Sequence, residues 1–189
     1  DTDGTGVTTQ ATDTCACPTG KYSGSDGATA CVNCDPGYFT GSTGQTDCTV
    51  QAAAGKYACD TSGDSDGTGV ANGASFECAC PSGYYSNTAG ATVCTQVVAG
   101  NYACATDDTD GTGVTTQATD TCACPSGYYS NAAGATQCTQ VVAGNYACAT
   151  GDTDGTGVTT QATDTCACPS GFYSLSLIHI SEPTRLSLI

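Results

Sequence analysis

Apolar residues in this chain are scattered singly or in pairs, and glycine or an Asp-Gly step interrupts them every few positions. This punctuation leaves no room for long helices. The segments GVTTQATDTC (113–122) and TQVVAGNYAC (139–148) carry β-branched residues and tyrosine between turn signals. They predict short strands or hairpin arms, so the expected fold class is small, mostly β or irregular, with no long helix.

One acidic phrase recurs along the chain. The sequence DTDGTGVTTQATDTCAC occupies 1–17, 108–124 and 152–168 without change, and a diverged copy, DSDGTGVANGASFECAC, occupies 64–80. Equivalent residues of the last three copies are 44 positions apart. Because each unit of a tandem repeat contacts mainly its neighbours, the sequence predicts an elongated array of 44-residue repeats.

Cysteine spacing subdivides each repeat into a loop closed by two cysteines, such as CPSGYYSNAAGATQC (124–138), and the acidic phrase. The predicted organisation is a partial repeat with a doubled loop module at 1–48, repeats at 49–94 and 95–138, and a truncated repeat at 139–174.

The tail 175–189 differs from everything before it. It holds all the leucine and isoleucine of the chain and no cysteine or glycine. The string SLIHISEPTR within it resembles translated sequencing-adapter read-through, so we expect the tail to be non-native. The alternative is a true hydrophobic C-terminal segment, although it is too short and too polar to span a bilayer.

Composition indicates a disulfide scaffold. The 189 residues include 16 cysteines and 25 glycines, and the formal net charge is −15. Before residue 175 the sizeable apolar residues are only valine, tyrosine and phenylalanine, too few to offset a chain entropy of roughly 1–2 kcal/mol per residue. A disulfide that closes a loop of about 15 residues contributes on the order of 3 kcal/mol, so cross-links must stabilise the fold.

The repeat suggests a local pairing of the cysteines, although connectivity does not follow from spacing alone. In each Cys-Ala-Cys the two side chains share one face of a strand, and joining them to each other would close a small, strained ring. One cysteine is therefore expected to bond backward and the other forward. The predicted pairs are Cys17–Cys31, Cys34–Cys48, Cys59–Cys78, Cys80–Cys94, Cys104–Cys122, Cys124–Cys138 and Cys148–Cys166.

Cys15 and Cys168 remain outside these pairs. We expect their partners to lie beyond the ends of this sequence, in a longer array; the alternative is that they join neighbouring molecules end to end. The chain also begins without a signal peptide or initiator methionine, which for a disulfide-rich protein predicts a fragment of a longer secreted one.

The loop modules carry a recognisable pattern, Cys-Pro-x-Gly-Tyr followed by Gly and Cys. It is formed by Cys80, Pro81, Gly83, Tyr84, Gly90 and Cys94, and again by Cys124, Pro125, Gly127, Tyr128, Gly134 and Cys138. This pattern resembles the cysteine-rich modules of ephrin-receptor-like type, and the tandem array is similar to the immobilisation antigens of ciliates and other protist surface proteins. The resemblance implies a surface coat or filament protein, anchored by a lipid at a C-terminus beyond this sequence.

The acidic phrase is the best candidate binding site, because closely spaced aspartates followed by glycine can turn several oxygens toward a hard cation such as calcium. The early third aspartate and the closing glutamate of an EF-hand are absent, and Phe76 replaces the last aspartate in the diverged copy. The alternative is that the Asp-Gly and Thr-Gly steps form tight turns with solvated carboxylates. The candidate calcium ligands are Asp1, Asp3, Asp13, Asp64, Asp66, Asp108, Asp110, Asp120, Asp152, Asp154 and Asp164.

Catalysis is not expected from this sequence. The one histidine, His179, lies in the tail, and neither Lys21 nor Lys56 has an evident partner. Cys31 and Cys34 have the spacing of a redox or zinc pair, but a link between two disulfide loops explains them equally well.

The recurring Tyr84-Tyr85 pair indicates packing against disulfides, with an aromatic stripe for assembly as the alternative.

These patterns predict an extracellular or cell-surface structural protein, an acidic disulfide-stapled rod that self-associates with neighbouring copies into a coat or filament. The alternative is a calcium-dependent adhesive or receptor-ectodomain binding module.

Threonine-rich runs are candidates for O-linked glycans. The acidic balance argues against nucleic acid and anionic membranes, and no stretch is long and apolar enough to span a bilayer.

Overall fold

The computed structural model of the chain describes residues 4–6 and 14–174, and these residues form short strands joined by turns, with no helix. Each strand has two or four residues. The strands are β1 (Lys21–Tyr22), β2 (Val32–Asn33), β3 (Tyr38–Phe39), β4 (Val50–Gln51), β5 (Lys56–Cys59), β6 (Phe76–Ala79), β7 (Tyr84–Tyr85), β8 (Thr95–Gln96), β9 (Asn101–Cys104), β10 (Asp120–Ala123), β11 (Tyr128–Tyr129), β12 (Thr139–Gln140), β13 (Asn145–Cys148) and β14 (Asp164–Ala167).

Consecutive strands pair into two-stranded sheets. The pairs β1–β2, β3–β4, β7–β8 and β11–β12 are short hairpins, and β5–β6, β9–β10 and β13–β14 are long hairpins. The small, disulfide-rich, mostly β tandem fold predicted from the sequence is therefore confirmed.

The predicted hairpin arms are only partly strands. In TQVVAGNYAC the ends form β12 and β13, which belong to different hairpins, and a turn separates them. In GVTTQATDTC only the last residues enter β10, because Gln117 adopts a positive φ of 58°, which ends any extended segment before it.

Turn chemistry sets where the short hairpins begin. The amide of Tyr84 donates to the carbonyl of Pro81 at 3.1 Å, and Gly83 between them has a φ of +79°. A turn with a positive φ at its third residue requires glycine there. Tyr128 and Pro125 repeat this bond at 3.0 Å in the next module.

The structure contains seven disulfides, and they join the same cysteines that the repeat spacing pairs. They are Cys17–Cys31, Cys34–Cys48, Cys59–Cys78, Cys80–Cys94, Cys104–Cys122, Cys124–Cys138 and Cys148–Cys166. In the Cys-Ala-Cys steps at 78–80 and 122–124, one cysteine bonds backward and the other forward, and each long hairpin is closed by a disulfide of its own. Cys15 and Cys168 lie outside these seven bonds.

Disulfides and tyrosine form the interior. Tyr57 is fully buried and packs with Cys59, Cys78, Cys80 and Cys94. One repeat later, Tyr102 is buried with the cysteines of the next module. Since sulfur and aromatic rings supply most of the buried volume at these positions, the low content of leucine and isoleucine is no obstacle to folding.

The chain divides into two compact units. One contains the described residues up to Thr95 together with Thr116–Asp120, and the other contains Gln96–Thr115 and the described residues from Thr121 onward. In the first unit, backbone bonds join successive modules: Gly90 donates to Ala52 at 2.7 Å and Ser86 donates to Ala118 at 3.1 Å. The second unit repeats them, from Gly134 to Val97 at 2.8 Å and from Ser130 to Ala162 at 3.0 Å.

Some predictions fall on residues outside the described part of the chain. These are the candidate ligands Asp1, Asp3 and Asp13 and the tail 175–189. Within the described part, no helix is long and apolar enough to cross a membrane.

Candidate functional site

The acidic phrases fold as hydrogen-bonded turns. The Asp108 carboxylate accepts a bond from the Asp110 amide at 3.1 Å, and the Asp110 carboxylate accepts one from the Thr112 amide at 2.6 Å. The Thr112 hydroxyl donates to the same Asp110 oxygen. Each aspartate thus caps the backbone two residues further on, which is the usual way in which this side chain stabilises a turn.

The other described copies repeat this geometry. The carboxylate of Asp152 accepts from Asp154 at 3.0 Å, and that of Asp154 accepts from Thr156 at 2.6 Å. In the diverged copy, Asp64 and Asp66 accept equivalent bonds at 3.1 and 2.6 Å. The same turn therefore forms in all three described phrases, whatever follows it in the sequence.

A tyrosine hydroxyl holds each turn against its long hairpin. The Gly111 amide donates to the hydroxyl of buried Tyr102 at 3.1 Å, and this hydroxyl donates to the Asp108 carboxylate at 3.3 Å. We call this arrangement the tyrosine latch. Equivalent latches bring Tyr146 to Gly155 at 3.1 Å and Tyr57 to Gly67 at 3.3 Å.

Sequence reasoning missed the latch. It considered Tyr84 and Tyr128 of the loop modules, which pack against the disulfide clusters, and not the tyrosines of the NYAC and KYAC strands. A signal was present, because Tyr102 and Asp108 recur as Tyr146 and Asp152 with the same separation.

Burial and charge keep the latch in one protonation state. Burial raises the pKa of the Tyr57 and Tyr102 hydroxyls; the bond from the glycine amide opposes this shift, and the neighbouring aspartates add to it. Hydrogen bonds from the Thr112 side chain and amide lower the pKa of Asp110, and those from Thr156 lower the pKa of Asp154. A neutral phenol beside ionised carboxylates is the state that this network requires.

The candidate calcium ligands of the last two phrases lie partly in the turn and partly on a strand. Asp164 lies on β14 opposite Cys148, and its carboxylate accepts from the Thr165 amide at 2.8 Å. In the part of the chain that the structure describes, no three histidine, cysteine, aspartate or glutamate side chains come together in a group able to hold a metal ion. The first two aspartates of each phrase are close together, but calcium takes six to eight oxygens.

An ion pair joins the two strands of the first long hairpin. Lys56, for which the sequence suggested no partner, contacts Glu77 with its Nζ at 2.5 Å from Oε1. The other oxygen of Glu77 accepts from the Ala53 amide at 3.2 Å. Partial burial acts to raise the pKa of Glu77, but these hydrogen bonds and the lysine charge outweigh it and leave the pKa below its ordinary value.

Two other candidate sites carry no evident chemistry. Cys31 and Cys34 are bonded to Cys17 and Cys48, so neither is a thiolate, and the pair links two disulfide loops. A cleft of about 250 Å³ beside β3 and β4 includes a single ionisable residue, Asp47, and hence no acid–base pair.

No protein-family model matches this chain, and no curated protein sequence matches it.

Proposed function

We propose that this chain is part of an extracellular structural protein, a disulfide-stapled repeat array that forms a surface coat or filament with neighbouring copies. One observation carries the proposal: seven local disulfides close the long hairpins and the loops from Cys17 to Cys138, and the interiors around Tyr57 and Tyr102 are made of disulfides and tyrosine. Disulfide-rich small modules are typical of proteins that work outside the cell. The pattern shared with ephrin-receptor-like modules and ciliate immobilisation antigens supports the same role.

The state of the acidic residues also favours a structural role. Asp108 and Asp110 bond to their own backbone, and their carboxylates stabilise turns that recur unchanged. Their charge hydrates the surface, and the resulting repulsion between molecules keeps an acidic array soluble until it assembles.

Protease digestion and imaging of the oxidised chain test this proposal. We expect the oxidised chain to resist a non-specific protease and the reduced, alkylated chain to be degraded rapidly. We expect electron microscopy of concentrated protein to show fibres or sheets. Isolated monomers under all solution conditions would contradict the coat or filament role.

Calcium titration tests the alternative of a calcium-dependent adhesive or receptor module. We expect Tm to stay unchanged at extracellular calcium concentrations, because the carboxylates of the turns already accept hydrogen bonds from their own backbone. A substantial rise in Tm, abolished by Asp110→Asn together with Asp154→Asn, would support the alternative.

A further inference from the structure

Asp-Gly steps are chemically fragile, and this chain has several. The glycine amide nitrogen can attack the aspartate Cγ, a water molecule leaves, and a succinimide ring forms. Hydrolysis adds the water back at one of the two ring carbonyls and yields either aspartate or isoaspartate, so the reaction needs no other reactant. Succinimide formation requires a glycine amide that is not engaged in a hydrogen bond and an aspartate carboxyl group that is free to approach this amide.

Hydrogen bonds engage both reacting groups at the Asp110-Gly111 step, one from the tyrosine latch and the others from Thr112. The Gly111 amide, which would be the nucleophile, donates to the Tyr102 hydroxyl. The Asp110 carboxylate, which would be the electrophile, accepts from Thr112. Its lowered pKa also reduces the protonated fraction from which water can leave. To react, this step must first break the buried hydrogen bond of the Gly111 amide and the exposed hydrogen bonds of the Asp110 carboxylate.

The same protection recurs at the other latched steps. Gly155 donates to Tyr146 and the Asp154 carboxylate accepts from Thr156. In the diverged copy, Gly67 donates to Tyr57. Asn72-Gly73, a related fragile step, is held differently, because Gly73 donates to the Cys34 carbonyl at 2.8 Å and the Asn72 side chain accepts from Asn33.

Asp26-Gly27 differs from all of these. Both residues are exposed, in the loop that Cys17 and Cys31 close. Within the described residues, the Gly27 amide donates no hydrogen bond, whereas Gly90 and Gly134 at the equivalent position of later modules donate to Ala52 and Val97. A Cβ on Gly27 would meet nothing within 4 Å, so the backbone has room to rearrange.

We propose that Asp26 is, among the Asp-Gly steps that the structure describes in full, the one that isomerises spontaneously to isoaspartate, and that the tyrosine latches protect Asp66, Asp110 and Asp154 from the same reaction. Isomerisation at Asp26 adds one carbon to the main chain inside the Cys17–Cys31 loop and breaks no cross-link. The disulfide-linked chain therefore survives the reaction, and the latched acidic turns undergo it more slowly.

Ageing the protein tests this assignment. The oxidised chain and its reduced, alkylated, denatured form are incubated together at neutral pH and body temperature. Isoaspartate at each site is measured by resistance to endoproteinase Asp-N and by electron-transfer fragmentation. The ratio of the denatured to the native rate gives a protection factor that cancels the effect of local sequence.

We expect a protection factor near unity at Asp26 and one of at least about fivefold at Asp66, Asp110 and Asp154, the ratio that about 1 kcal/mol of hydrogen bonding provides. Tyr102→Phe should raise the native rate at Asp110 about fivefold and leave Asp154 unchanged. The control Tyr128→Phe should change neither rate. Equal protection at Asp26 and Asp110 in the wild-type chain would overturn the proposal, and this comparison is decisive even if Tyr102→Phe fails to fold.

Discussion

Gly37 lies so close to Gly90 that a Cβ built on Gly37 would be 2.0 Å from the Gly90 carbonyl oxygen. The two residues belong to different loop modules of the first unit and lie 53 positions apart in the sequence. A side chain at Gly37 would have to force the modules apart, since the obstructing atom is backbone. Gly37 thus serves module packing as well as the turn.

Gly37→Ala should destabilise the first unit by about 2–5 kcal/mol, because it adds this clash to the strain of alanine at a positive φ. Gly63→Ala is a matched control. Gly63 has a φ of 82°, close to the 79° of Gly37, but a Cβ there meets nothing within 4 Å. We expect Gly63→Ala to cost about 1–2 kcal/mol. Urea unfolding measures the free energy of unfolding of both variants. Equal losses would show that the close contact between Gly37 and Gly90 does not contribute to the cost of the substitution.

Tyr102→Phe should cost about 1–3 kcal/mol, because it leaves the buried Gly111 amide without its acceptor. Tyr128→Phe serves as the control, since Tyr128 packs against the same disulfide cluster but contributes its ring only. Its expected cost is below about 0.5 kcal/mol. Urea unfolding monitored by circular dichroism compares the two variants. A Tyr102→Phe variant as stable as Tyr128→Phe would mean that the turn holds without its latch.

Replacing Cys124 and Cys138 together by serine should remove about 3 kcal/mol, the contribution of a loop of this length. The effect should be local, because the disulfide connects residues within one module. We expect amide hydrogen exchange to accelerate in β11 and β12 and to stay unchanged in β3 and β4. Uniform acceleration along the whole chain would contradict a modular, locally stapled fold.

Sequence reasoning reached the disulfides because an exact 44-residue period leaves few consistent ways to pair cysteines locally. It did not reach the tyrosine latch, because Tyr102 approaches Gly111 only once the long hairpin and the turn are both folded. It also overestimated strand content, since nothing in the letters GVTTQ shows that Gln117 takes a positive φ.

The ion pair was missed for a related reason. Lys56 and Glu77 are not directly opposite in the β5–β6 ladder, where Lys56 faces Ala79 and Glu77 faces Ala58. Their contact depends on a hairpin register that composition does not determine.

Glu77→Gln tests the charge of that ion pair through pH. Because the folded state lowers the pKa of Glu77 below the ordinary value of 4.5, its contribution to stability is complete above that value and is lost as pH falls through the folded-state pKa. At neutral pH we expect the wild type to exceed Glu77→Gln by about 0.5–1 kcal/mol. The difference should vanish in acid, and thermal melts across this range measure it. A stability difference between the wild type and Glu77→Gln that persists in acid would show that packing rather than charge causes the effect.

Thr165→Val should stabilise the last long hairpin by up to about 1 kcal/mol, because the Thr165 hydroxyl oxygen is buried and has no hydrogen-bond partner within the described residues. Thr163→Val is the matched control two residues away. The Thr163 hydroxyl accepts from the Thr150 amide at 3.0 Å, so its removal should cost about 1 kcal/mol. Opposite signs at Thr163, which immediately precedes β14, and Thr165, which lies within it, would show that the state of each hydroxyl rather than the β-propensity of valine decides the effect. Thermal unfolding of the two variants distinguishes these effects, and stabilisation by both would make propensity the cause.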